Sequence, residues 1–482
     1  MIRPSKRKNI FPVACIQGKW LPVRGQKLWE QRNPSHWRET LGLLPLATAR
    51  EVAAATAVAF RAQQRWKMTP PRVRRKLLLA WRSKLLDQKD ELAWLMALEI
   101  GKPVSLGHQE IQYAAELLQV TASILGTSQA FPASPKEGFS ARRRPVGVIG
   151  IITPWNNPVA IPAGSLAPAI GFGNAVVWKP PLQAPRAARL MLGMLNEAGC
   201  PDGLVNLIFG DARTAEHLIL QPNIRAISFT GSYPAGRRVA ALAGRQMKPV
   251  QLELGGNNGA IIMPDCDLNK TAGELAISAF SFAGQRCTAP RRFIVHRHSR
   301  KRFEEALLSS IQSLRLGLPQ EPLTQIGPLI SKRKQGEMRG LVKSGLAAGA
   351  KLLCGGKVPD GLESGCWFEP TLLYASNNNL PLLREESFGP IAILQVAHNL
   401  DEALSFLNGV PQGLVASLYT RDRACQKRFL ETAECGVLKL NQTTLGVEAE
   451  APFGGWKTSG LGPPKHGVWD QDFCTLVQAL YD

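Results

Sequence analysis

The first third of the chain repeats apolar residues at helical spacing, and the remainder alternates short apolar runs with amphipathic stretches. Segments 51–66, 72–86, 90–100 and 110–125 read as helices. In the second of them Leu78, Trp81 and Leu85 share one face, while Arg74, Arg75 and Lys84 lie mostly off it. Ahead of these helices, 15–21 reads as an opening strand. From 146 the rhythm changes: 146–152, 174–178, 204–208, 226–229 and 250–253 read as strands, with helices such as 185–198 and 235–243 between them. A second series follows Gly255, with helices over 268–283 and 302–314 and strands over 293–296, 391–396 and 414–419. Such alternation predicts parallel sheets covered by helices on both faces, an α/β fold. The last run, 475–481, is a strand with no partner close in sequence, and is expected to pair with a distant segment or another subunit.

One stretch looks superficially like a membrane span, because 146–178 contains no charged residue. Pro154, Pro158, Pro162 and Pro168, with Gly164, Gly171 and Gly173, break any continuous helix there. It reads as a buried strand, a tight loop, a short helix and a second buried strand, so no membrane association is expected.

At 482 residues the chain is too long for one ordinary core, and two or three domains are expected. The composition, 45% hydrophobic and 20% charged, is that of a globular protein. The formal charge of +21 raises the question of nucleic acid. The basic residues are dispersed, however, with no zinc-finger spacing, aromatic ribonucleoprotein motif or basic low-complexity tail. A solvated basic surface suited to an anionic ligand is the plainer reading. Nine scattered cysteines, never in C-x-x-C or mixed His/Cys spacing, point to a reducing compartment, taken as the cytoplasm, and to no metal site. The segment 1–11 is basic but runs into no apolar signal-peptide core.

Three places carry candidate chemistry. No G-x-G-x-x-G fingerprint is present, but the strand ending near Gly231 leads to Ser232 at an N-cap position and Pro234 just inside a helix. Such a terminus offers free backbone N–H groups to a phosphate, although ordinary capped helices look the same. Cys287 lies in FAGQRCT, where Gly284 allows close backbone approach and Arg286 is adjacent. A lone cysteine is more often an inert core residue. The balance shifts with Glu253, at the end of an apolar strand before a Gly-Gly turn. A carboxylate buried there is costly unless neutral or hydrogen-bonded, and a raised pKa is what a general base near neutrality needs.

The segments LELGGNN (252–258) and FAGQRCT (282–288) resemble the two signature motifs of the aldehyde dehydrogenase superfamily, the cysteine lying 34 residues beyond the carboxylate. Further blocks occur in family order: PWNNP (154–158), GN-x-VVWKP (173–180), FTGS (229–232), GPLIS (327–331), EESFGP (385–390) and APFGGWKTSG (451–460). The resemblance runs from about residue 16 to the end. It implies a Rossmann-like cofactor domain (1–124 and 144–254), an α/β catalytic domain (255–446) and a small β element for oligomerisation (125–143 and 447–482). A homodimer or homotetramer is implied as well, with the terminal strand joining a neighbouring subunit.

The resemblance also implies roles. Cys287 attacks the aldehyde carbon, Asn156 and the Cys287 N–H hold the oxyanion, and Glu253 activates the water that hydrolyses the thioester. Relatives that pass the acyl group to coenzyme A generally lack that carboxylate. Lys179, Trp155, Gly231, Ser232, Leu254, Glu386 and Phe388 fall at cofactor positions, for NAD or NADP. Departures matter too. Leu182 stands where NAD-preferring relatives usually carry Glu, and Arg186 and Arg189 lie nearby, which leaves NADP open. Ser165 replaces a lysine common in relatives, putting a proton-relay role there in doubt. Asn157, Ser281 and Val447 replace frequent aromatics of the aldehyde channel, favouring a polar or carboxylated semialdehyde. The stretch 162–168 and the residues 472–475 are similar to the succinylglutamate-semialdehyde dehydrogenase branch. Two competing readings are an inactive homologue with a binding or structural role, and a nucleic-acid-associated basic protein. The first has to explain why Cys287, Glu253, Asn156, Lys179 and Glu386 are all present.

Overall fold

The computed structural model describes residues 10–125, 139–375 and 380–481. Part of the basic N-terminal segment, residues 1–9, and most of the first oligomerisation segment, residues 126–138, therefore lie outside the described residues.

Two large sheets organise the chain. The first has eight strands in the order Lys19–Leu21, Ala14–Ile16, Val205–Ile208, Ala175–Lys179, Val148–Ile152, Ile224–Thr230, Val250–Glu253 and Gly460–Leu461. Its five central strands are parallel, and its outer partners are antiparallel. The second has seven: Lys351–Cys354, Thr371–Tyr374, Ile391–Ala397, Pro290–His296, Asn258–Ile262, Val415–Tyr419 and Val437–Leu440. All but its first pair run parallel. The α/β expectation holds.

The helical third packs on the first sheet. Ala49–Trp66 begins at a capping box in which Thr48 and Glu51 bond reciprocally, which satisfies donors that its first turn leaves free. In Pro71–Asp87 the predicted face is confirmed: Leu78, Trp81 and Leu85 are fully buried. The uncharged stretch resolves as expected into Val148–Ile152, a loop, Ala160–Gly171 and Ala175–Lys179. All but Ile161 of that helix is buried, so it needs no polar face.

Two expectations are corrected and a third is narrowed. The opening 15–21 is a hairpin of two three-residue strands, turned at Gln17 and Gly18 with φ of 54° and 73°. The apolar pairs Cys15 with Ile16 and Trp20 with Leu21 read as one strand because the turn between them spends only two residues. The helix expected to reach 283 ends at Phe280, and the chain then turns left-handed. The terminal strand Thr475–Tyr481 pairs along its whole length with Phe139–Pro145 of its own chain, so the distant-segment alternative is the one observed.

Candidate active site

Cys287 is positioned by a backbone that no helical or strand pattern encodes. After Phe280, residues Phe282, Ala283 and Gly284 adopt φ of 54°, 50° and 64°. Only at Gly284 is glycine obligatory on steric grounds too, since a Cβ there would stand 2.4 Å from the Gly389 carbonyl. The two non-glycine residues each cost about 1–3 kcal/mol in such a conformation. A set of buried hydrogen bonds offsets this. The Arg291 guanidinium donates to the carbonyls of Gly284, Arg286 (3.2 Å) and Gly389 (2.6 Å). Gln285 donates to Pro328 and accepts from the Ile330 N–H, and Asn258 donates to the Cys287 carbonyl at 2.7 Å. Arg291 thereby ties the cysteine loop to the 386–389 loop.

Glu253 ends its strand with Thr230 beside it in the sheet, and its Oε2 has no hydrogen-bond partner. Burial raises its pKa, and the Lys465 ammonium and the Gly455 N–H work against that. Glu386 accepts from the Gly256 N–H, and burial pushes it up to about 7 against the pull of Arg291 and Lys334. Burial pushes the Cys287 thiol up to about 12, reinforced by the carboxylates of Glu386 and Glu253 and opposed by the N–H groups of Cys287 and Thr288. The sulfur and both acids thus sense one another.

The remaining sequence-predicted residues converge on the same place. Asn156 is buried, with one amide N–H donated to the Gln285 carbonyl at 3.2 Å. Trp155 stands edge-to-face between Phe282 and Phe388, the latter at φ 42°. Lys179 donates to the Gly210 carbonyl at 2.9 Å, and burial lowers its pKa to about 8. Ser232 is the N-cap of Tyr233–Arg245 but its side chain caps nothing, which leaves the first-turn N–H groups free. All ten residues, Trp155, Asn156, Lys179, Gly231, Ser232, Leu254, Glu253, Cys287, Glu386 and Phe388, line one cleft of about 1450 Å³ between the two sheets.

Some readings change. Arg186 is consumed by Glu99, Gln31 and the Leu41 carbonyl, and Arg189 stacks over Phe11 and Trp20, so neither faces the cleft. Arg238 and Arg245, on the helix that follows Ser232, line it instead. The Ser165 hydroxyl accepts from the Lys465 amine at 3.1 Å. Sequence reasoning missed Lys465 and Arg291. Lys465 sits in a proline-flanked loop without periodicity. Arg291 did leave a signal: two consecutive arginines open an otherwise apolar strand. Among the described residues no group of three or more His, Cys, Asp or Glu side chains could hold a metal ion.

The thiol gives a direct test. Thiolate is the reactive form, so a group with pKa near 12 reacts about tenfold faster per pH unit. Inactivation by iodoacetamide is therefore expected to climb steadily from pH 7 to pH 10. A plateau by about pH 9, the behaviour of an ordinary thiol, contradicts the burial.

The aldehyde dehydrogenase family model matches residues 20–480. The chain belongs to that family. It is 33% identical to the α-ketoglutarate semialdehyde dehydrogenase of Haloferax volcanii, covering 97% of this chain and 98% of the relative. It is likewise 33% identical to the 2,5-dioxopentanoate dehydrogenase of Saccharolobus solfataricus, over 92% and 94%. Among solved structures it is similar to a mutant of aldehyde dehydrogenase C from Pseudomonas syringae in complex with NAD+ and octanal. There the TM-score is 0.93 at 30% identity, covering 98% and 96% of the two chains. The protein is an NAD(P)-dependent oxidoreductase acting on an aldehyde. Among the described residues, no helix is long and apolar enough to cross a membrane.

Proposed function

We propose that the chain oxidises a carboxylated semialdehyde to the acid through a thioester on Cys287, with water as acyl acceptor. The observation that carries this is the meeting of Cys287, Glu253 and the free helix N-terminus on one cleft. The cleft fits a dinucleotide. The uncapped N–H groups at Ser232 and Tyr233 suit a pyrophosphate, and a Cβ on Gly231 would press within 2.5 Å of Phe229. In this reading Lys179 meets the adenine ribose, Trp155 and Ser232 the pyrophosphate, and Glu386 and Phe388 the nicotinamide ribose and ring; all of them, with Leu254, line the cleft. When bound, the dinucleotide supplies a hydride acceptor.

In this reading Cys287 Sγ bonds to the aldehyde carbon, and its proton leaves to a nearby base. The Asn156 amide and the Cys287 N–H stabilise the resulting oxyanion. Once the carbon has lost its hydride, the substrate is held as a thioester. Glu253 then takes a proton from water, whose oxygen bonds to the acyl carbon as the C–S bond breaks. The acid departs and the thiol is restored.

Arg286 supports an anionic substrate. It neighbours Cys287 and lies within electrostatic reach of it and of Glu110, and its guanidinium makes no hydrogen bond or ion pair among the described residues. The Asn157 side chain, next to the cleft-lining Asn156, accepts from the Lys102 amine at 2.7 Å, so a polar pair stands where relatives often have an aromatic. The two relatives named above act, by their names, on α-ketoglutarate semialdehyde and on 2,5-dioxopentanoate. A panel of carboxylated and uncharged aldehydes of equal length, each with NAD and with NADP, tests the reading by NAD(P)H formation. The carboxylated members are expected to lead in kcat/KM by about tenfold or more, the worth of one charge-assisted pair. Equal rates for both classes refute the substrate assignment.

We also infer assembly into a homodimer or homotetramer. The ribbon of Phe139–Pro145 and Thr475–Tyr481 exposes Leu476, Val477 and Tyr481, and a two-stranded ribbon is marginal alone. The division into a cofactor unit (1–124, 144–254), a catalytic unit (255–446) and an assembly element fits the break between the sheets after Glu253. Nine free cysteines accord with the cytoplasm.

A further inference from the structure

Glu253 sits on a sheet face whose rows are informative. Thr230 and Ser228, alternate residues of one strand, stand directly beside Glu253 and Gln251, alternate residues of the next. Side chains at alternate positions share a face. That face is roofed by the buried helix Ala160–Gly171, which contributes Ser165. Into this layer the loop after Gly460–Leu461 delivers one cation. The Lys465 amine donates to Ser165 Oγ at 3.1 Å, Thr230 Oγ1 at 3.2 Å and Ser228 Oγ at 3.3 Å. The loop is held in register by Gln251 donating to the Pro464 carbonyl at 3.3 Å, and by paired backbone bonds between Lys465 and Phe453.

Lys465 is only 4% exposed, yet the three hydrogen bonds of its amine go to neutral hydroxyls, and among the described residues no carboxylate is in salt-bridge contact with it. Burying an ammonium this way is costly unless an opposite charge lies close. The opposite charges that act on it are Glu253, whose Oε2 is unpartnered, and Asp470. The other titratable groups packed against the pair are Cys287, which faces Glu253, and Cys474 and His466, which face Lys465. Both thiols are pushed up by burial and His466 is held low, to about 3, so all three are neutral at pH 7. The pair thus has one nearby modulator, Asp470, itself raised to about 7 by burial.

We propose that Lys465 is the positioning residue of the general base: anchored on three hydroxyls, its ammonium orients the Glu253 carboxylate and sets the pH at which thioester hydrolysis begins. The cation opposes the effect of burial on Glu253, keeping enough of the acid ionised near neutrality to accept a proton from water. Ser165, Ser228 and Thr230 hold the amine in the buried layer beside Glu253, which itself lines the cleft. The inference rests on Glu253 being the base, as proposed above.

The test is the pH profile of kcat in Lys465→Gln, Lys465→Arg and Ser165→Ala, with Glu253→Gln alongside. Losing a nearby opposite charge moves a carboxylate by about one unit or more. Lys465→Gln keeps a donor for the hydroxyls, and its acid limb is expected to move up by about that much. At pH 7 turnover falls about tenfold, the thioester burst is kept, and the rate recovers above the shifted limb. Lys465→Arg restores the limb towards its original position. Ser165→Ala, a small change that does not depend on Lys465→Gln folding, removes a competing acceptor and is expected to move the limb to lower pH. A folded Lys465→Gln that is slower at every pH with its limb unmoved overturns the proposal, as does an unmoved limb in Ser165→Ala. If Glu253→Gln turns over like the parent, the reading of the base itself is wrong. If Glu253→Gln is crippled while the Lys465 and Ser165 profiles match the parent, only the present inference fails.

Discussion

Cys287→Ala is expected to abolish aldehyde-dependent NAD(P)H formation, lowering kcat/KM by about 10⁵-fold or more, the scale on which covalent catalysis collapses when its nucleophile goes. The physical basis is local. Residues 282–284 hold a left-handed path that no helix supplies, and Arg291, Gln285 and Asn258 fix that path by binding its carbonyls. Alanine fits the same backbone, so the fold and dinucleotide binding should survive. Protein fluorescence quenching on NAD or NADP addition, unchanged while turnover vanishes, separates loss of chemistry from loss of structure. Retention of more than a small fraction of activity would move the reaction away from this sulfur.

Glu253→Gln is expected to split the reaction in two. One equivalent of NAD(P)H per active site appears as a burst, and steady turnover then falls by about 10²–10⁴-fold, the usual worth of a positioned general base. In the parent enzyme, burial places the pKa of Glu253 above the ordinary carboxylate value, despite Lys465. The base works only when ionised, so kcat should rise with pH through that raised value and fall below it. Glutamine has no such titration, and the residual rate of Glu253→Gln should lose this limb. Rapid-mixing absorbance at several pH values reads both effects. A variant with no burst would assign Glu253 to an earlier step.

The inactive-homologue alternative weakens at the same cleft. Asn156, Lys179 and Glu386 are packed and hydrogen-bonded around Cys287 and Glu253 on a shared wall. A chain retained only for binding has no need to keep a raised carboxylate and an unpartnered Oε2 beside a thiol. The nucleic-acid alternative loses some of its charge argument too. Arg291 and Arg292 are buried and spent on backbone carbonyls, and Arg186 on Glu99.

Much was legible in the linear chain because short-range physics wrote it there. The apolar row Leu78, Trp81 and Leu85 marks a buried helix face, since 3.6-residue periodicity maps directly onto one side of a cylinder. The uncharged 146–178 run gave strand, loop, helix and strand because its prolines and glycines forbid any longer helix. Cys287 and Glu253 stood out because each broke a local rule: a cysteine in a glycine-bearing turn, and a carboxylate closing an apolar strand. What the order of residues left open depended on distant partners. The turn at Gln17 and Gly18, the left-handed run before Cys287 and the diversion of Arg186 and Arg189 from the cleft are each decided by groups far away in the chain. Lys465 is the clearest case: nothing near it in sequence marks it, and its hydroxyl partners come from a helix and a strand brought together only by sheet and helix packing. Local pattern fixes which face of an element is buried. Which charge ends up beside which is settled only when those faces meet, because burial and Coulomb energies depend on distance in space and not along the chain.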